Sequence, residues 1–73
     1  MNSNEIMPFY EEKTSTDPDW YIAVDKISGF SKFDDNSVMV YVFGIEKPLK
    51  AYGKIRGIVE VYDMKIRNLM YDV

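Results

Sequence analysis

Between Trp20 and Val24 the chain alternates, with Trp20, Ile22 and Val24 on one side and Tyr21 and Ala23 on the other. A period of two is that of a β-strand with one face turned inward, so a strand is expected here. Ile27 to Phe33 continues extended, with Gly29 marking a bulge or a close backbone approach and Phe30 facing opposite to Ile27 and Phe33. Asp34-Asp35-Asn36-Ser37 follows. Its side chains bond their own backbone and tolerate left-handed geometry, which predicts a tight reversal and a hairpin. The return strand places Val38, Val40 and Val42 on one face and Met39, Tyr41 and Phe43 on the other. Neither face is polar. Such a strand is central in a covered sheet, belongs to a small closed barrel, or shows one side to a partner.

Gly44 ends that strand, and residues 45–52 give another, in which Pro48 cannot donate to a ladder and so marks an edge strand or its first residue. From Lys54 to Met70 the period changes. Ile55, Ile58, Val59, Tyr62, Ile66 and Leu69 recur at spacings of three and four, which predicts an amphipathic helix. Arg56 with Glu60 and Asp63 with Arg67 add opposite charges four apart. Gly57 and the β-branched Val59 and Val61 weaken local propensity, so packing must hold the helix. The rival reading of this segment is two strands, Ile55 to Val61 and Lys65 to Tyr71. At the other end, residues 1–18 mix Asn, Ser, Thr and Glu with two prolines around Ile6-Met7-Pro8-Phe9-Tyr10. They read as a flexible tail, linked through Ser15-Thr16-Asp17-Pro18, whose Phe9 and Tyr10 lie against the domain or form an arm that orders on a partner. The expected fold is therefore α+β: a small antiparallel meander of three or four strands with one C-terminal helix, residues 19–73 forming the domain. The alternative is an all-β, SH3-like small barrel.

The order of Val24-Asp25-Lys26-Ile27, the Asp34–Ser37 reversal and the Lys54–Met64 helical segment resembles the layout of short bacterial and phage proteins that include the flagellar FlbD-type family. The likeness covers residues 20–66. It departs where such proteins carry Asn-Gly before the last strand, since Gly44-Ile45 stands here, and in the N-terminal segment. The resemblance implies a strand, a hairpin, a short strand and a terminal helix, and none of the matched positions is catalytic.

Seventy-three residues make one domain, because a chain of this size buries only about 60% of its unfolded surface. No apolar run approaches the roughly 18 residues of a membrane span, and the first residues lack a basic region followed by an apolar stretch. A cytoplasmic protein is the expectation. Cysteine and histidine are both absent, which removes disulfides, thiolate metal sites and the usual general base. Without such staples, so short a chain relies on good packing or on burying surface against a partner or its own copy. Net charge is −3, unevenly spread: residues 1–36 hold eight acids against three bases, and the remainder four acids against six bases.

The chemistry these residues offer is slight. Asp34-Asp35 and the Asp17, Asp19 pair are the close carboxylates, and both lie in expected loops. The Asp34–Ser37 oxygens lack the spacing of a calcium loop, and Gly53 and Gly57 lack the ending of a phosphate loop. No catalytic residue, metal site or cofactor is expected. Two functional readings stay open. In the first, the protein is a non-enzymatic binding module, a phage- or mobile-element-type inhibitor or adaptor, acting through Met39, Tyr41 and Phe43 or by homo-oligomerisation. In the second, Lys50, Lys54 and Arg56 contact nucleic acid with aromatic side chains as stacking surfaces, against an isoelectric point near 4.7.

Overall fold

The computed structural model describes residues 5–14 and 16–71. Its elements run β1 (Ile6–Phe9), β2 (Trp20–Ala23), a 3-10 turn (Val24–Lys26), β3 (Ile27–Asp34), β4 (Ser37–Val42), β5 (Leu49–Tyr52) and α1 (Ile55–Tyr71). The α+β expectation holds. β3, β4 and β5 form a three-stranded antiparallel meander, while β1 and β2 make a separate antiparallel pair. The rival pair of strands at the C-terminus is replaced by one helix of 17 residues.

The N-terminal segment departs from the tail expected for it, although residues 1–4 and 15 lie outside the described residues. Met7 and Phe9 alternate inward from β1 and are buried, and Phe9 stacks on Trp20 with ring centroids 4.8 Å apart. The Val24 N–H donates to the Glu5 carbonyl and the Asp19 N–H to that of Phe9. Odd-numbered residues of β1 therefore face β2, and Pro8, across from Tyr21 in register, faces the other edge, where its missing N–H costs no β1–β2 bond. On that edge the Tyr10 carbonyl accepts from the Tyr52 N–H of β5 at 2.6 Å. Pro8 is the next position back with the same orientation and has no N–H to offer. This explains why the two sheets touch without merging into a barrel.

The core is shared among all layers. Its buried members are Met7, Phe9, Ile22 and Val24 from the N-terminal half and Ile27, Val38, Val40 and Ala51 from the meander. Ile55, Ile58, Tyr62, Ile66 and Leu69 of α1 close over them, with Tyr62 meeting Phe30 edge-on at 5.4 Å. The inner face of the sheet is thus covered by the helix together with the β1–β2 pair, not by the helix alone. Of the charge pairs expected along α1, Arg56–Glu60 and Asp63–Arg67 are not formed. Among the described residues the ion pairs are Lys32–Asp35 at 3.0 Å and Lys65–Glu5 at 3.5 Å, the latter tying the helix to the start of β1.

Two irregularities in β3 decide which side chains face outward. The register shifts between Ile27 and Gly29 and again between Lys32 and Asp34. The first inserts Ser28 as an extra residue, so Ile27 and Phe30, expected on opposite faces, both contribute to the core. Gly29 is beside the bulge but is no close approach, since a Cβ there would meet nothing within 4 Å. At the hairpin, Asp34 Oδ1 accepts from the Asn36 N–H at 2.8 Å and from Ser37 Oγ at 2.7 Å. Left-handed geometry is not used: among the described residues only glycines have positive φ. Gly44 is one of them, at 86° in the third position of a turn closed by the Ile45 N–H on the Val42 carbonyl, as a type II turn requires.

Candidate functional site

The outer face of the β3–β4–β5 meander is where the expected interaction residues come to lie. Val38 and Val40 point into the core, so the alternation of β4 sends Met39 and Tyr41 the other way. Met39 pairs with Ser31 on one side and Lys50 on the other, making the middle row of this face. Tyr41 stands across from Gly29 and its hydroxyl meets Ser31 Oγ at 3.0 Å, while Ser28 Oγ donates to the Tyr41 carbonyl at 3.1 Å. Past the Ser28 bulge the alternation of β3 turns Phe30 inward and Phe33 outward, beneath the Lys50 ammonium at 4.3 Å from the ring centroid.

The three expected residues differ in what they offer. Met39 is half-buried by its neighbours in the row, Tyr41 is 39% exposed, and Phe43, just past the strand, is 65% exposed. Phe33, at 55%, belongs to the same face and was not singled out by the sequence, because its orientation depends on a bulge that period counting does not detect. The open face is therefore a row of aromatic and Met side chains edged by Ser31 and Lys50. Its electrostatics are mild. The Asp34 carboxyl at the hairpin end is held below the usual carboxylate range, chiefly by the Ser37 hydroxyl and then by the Asn36 N–H.

The basic residues do not gather into one group of free cations. Lys50 stands over Phe33, the Lys54 ammonium reaches the Asn36 side-chain oxygen at 3.4 Å, and Arg56 is exposed on the first turn of α1. Of the carboxylates considered for acid–base work, Asp34 is engaged in the turn, and Asp19 accepts from the Glu11 N–H at 2.8 Å. Among the described residues no three potential ligands converge as a metal site would need.

A second apolar surface has no counterpart in the sequence reading. A groove of about 350 Å³ runs between β1 and the first half of α1, walled by Met7, Phe9, Tyr10, Tyr52, Ile58 and Val61. Its walls come from segments some fifty positions apart in the chain. The available signal was the Met7, Phe9 alternation, which marks a strand rather than a tail. No helix among the described residues is long and apolar enough to cross a membrane. Comparison with family models, curated proteins and solved structures yields no match to this chain.

Proposed function

We propose that the protein is a non-enzymatic, cytoplasmic protein-binding module of the inhibitor or adaptor kind, whose outer sheet face around Met39, Tyr41 and Phe43 is buried against another protein or a second copy. The observation that supports this is the exposure of Phe33 and Tyr41 on the open outer face of the sheet, with Phe43 exposed in the turn that follows β4. Aromatic and Met side chains are the types enriched at interface centres, and Lys50 and Ser31 supply a polar edge. The test compares the tagged full chain with the double variant Tyr41→Ser, Phe43→Ser. The native chain is expected to retain a stoichiometric partner from its source cell, or to self-associate, and the variant to lose this with its melting transition preserved. A native chain that stays monomeric and retains nothing, or a variant that binds as before, overturns the proposal.

A nucleic-acid reading rests on one observation, the cation of Lys50 stacked on the exposed Phe33 of an open sheet, which is the pairing of single-strand binding platforms. In that reading Lys50, Lys54 and Arg56 carry the backbone contacts. Binding to single-stranded oligonucleotides would then fall steeply with salt and be lost on replacing these three residues; salt-independent or absent binding removes it.

A further inference from the structure

Helix α1 carries a second, unused stripe. Its core side is Ile55, Ile58, Tyr62, Ile66 and Leu69, whereas Gly57, Val61, Met64 and Asn68 follow one another at spacings of four, three and four on a different side. That is the spacing of a helix–helix seam. All four positions are exposed, Met64 to 59%, and a Cβ at Gly57 would meet nothing within 4 Å. Val61 and Met64 are its apolar members, set between Gly57 and Asn68, and the fold leaves this side of the helix uncovered.

What would cover the second stripe is indicated by the charges beside it. Glu60 and Arg67 flank the seam, and neither is held by an ion pair among the described residues. If a second α1 is laid antiparallel across the first, with a two-fold axis between Val61 and Met64, Val61 packs on Met64 of the second copy. The same register sets Gly57 against Asn68, where the missing side chain leaves room for the amide. It also sets Glu60 opposite Arg67, twice, by symmetry. The stripe is self-complementary in shape and in charge, as an isologous contact must be. We infer that α1 is the interface of an antiparallel, two-fold symmetric homodimer, built on Gly57, Val61, Met64 and Asn68 and oriented by Glu60 and Arg67. This contact is separate from the sheet face of the proposed function and leaves that face free for another protein.

Sedimentation velocity from micromolar to millimolar concentration provides the test, on the full chain and on E60R and R67E. The native chain is expected to dimerise with concentration. Each single reversal turns two attractive exposed pairs into two repulsive ones and weakens the dimer about tenfold. An equimolar mixture of E60R and R67E restores both pairs and recovers association to near the native level. Because the chain has no cysteine, a second readout is free of background. Gly57→Cys and Asn68→Cys chains should cross-link on oxidation when mixed, and neither should cross-link alone. A native chain that remains monomeric at millimolar concentration overturns the inference, as does a dimer indifferent to both reversals or cross-linking of the Gly57→Cys chain alone. A dimer indifferent to the reversals but lost on Tyr41→Ser, Phe43→Ser places the contact on the sheet and leaves only the earlier proposal standing.

Discussion

Replacing Phe9 by alanine separates an ordered β1 from a tail that merely lies against the domain. Phe9 is 2% exposed, stacks on Trp20 and is bonded through its carbonyl to the Asp19 N–H. Removing a ring so enclosed costs the lost transfer free energy plus a cavity, about 3–5 kcal/mol for Phe→Ala in a core. A domain of 73 residues has a total stability of roughly 4–11 kcal/mol at 0.05–0.15 kcal/mol per residue. The substitution should therefore remove about a quarter or more of the folding free energy, and at 4–8 °C per kcal/mol it should lower Tm by at least about 12 °C. Ile6, on the same strand but 46% exposed, is the matched control, and Ile6→Ala should cost about 1 kcal/mol or less. Urea melts followed by helical circular dichroism are the suitable assay, because Trp20 fluorescence changes when its stacking partner is removed. Phe9→Ala costing under about 0.5 kcal/mol, the range of ordinary surface changes, would refute the placement of β1 in the core.

The glycines give opposed expectations. Gly53 sits at φ 138°, and a Cβ there would lie 2.9 Å from Ile58 Cδ1, so Gly53→Ala should destabilise by about 1–3 kcal/mol in a urea melt. Gly29→Ala meets no atom and restricts only the unfolded chain, so it should stabilise by about 0.4–1 kcal/mol in the same assay. Since the Asp34 carboxyl titrates below its unfolded value, its contribution is fully present above the ordinary carboxylate pKa and is lost as pH falls through the depressed one. Carbon-13 NMR should show this carboxyl titrating below the ordinary aspartate range, and Asp34→Ala should weaken the pH dependence of stability on the acid side. An unshifted Asp34 would show that the hairpin bonds to Ser37 and Asn36 do not persist in solution.

Most of the meander is legible from local pattern because β4 and α1 each have a clear period. Valines two apart cannot share a helix face, and Ile55, Ile58, Tyr62 and Ile66 cannot share a strand face. The Asp34–Ser37 reversal is legible from side-chain chemistry that acts within three residues. What escapes is everything that depends on a single insertion or a distant partner. The Ser28 bulge reverses the expected orientation of both Phe30 and Phe33 relative to Ile27, turning the first inward and the second outward. β1 escapes because a four-residue strand containing Pro8 has little intrinsic preference, and its stability comes from Ile22, Trp20 and the helix wall. The groove beside Val61 escapes for the same reason.

The exposed sheet face also limits the kind of partner it can hold. Fully burying a side chain such as Phe contributes about 1.5–3 kcal/mol. Scaled by the present exposure of Phe33, Tyr41 and Phe43, 55%, 39% and 65%, the gain from covering all three is about 2–5 kcal/mol. Association itself costs roughly 4–15 kcal/mol in lost freedom of motion. These aromatics therefore cannot hold a small ligand or a short peptide tightly on their own. Strand addition at the free edge of β3 would add ladder bonds, but two bulges along that strand twist the edge away from regular pairing. A binder must instead be a folded surface broad enough to engage the rim as well, Lys32 and Lys50 included. The corresponding prediction is that a peptide cut from any partner binds no tighter than about millimolar, the intact partner binding at least a hundredfold more tightly by titration calorimetry. A short peptide that matched the intact partner would show that the face is recognised by a mode other than broad apolar burial.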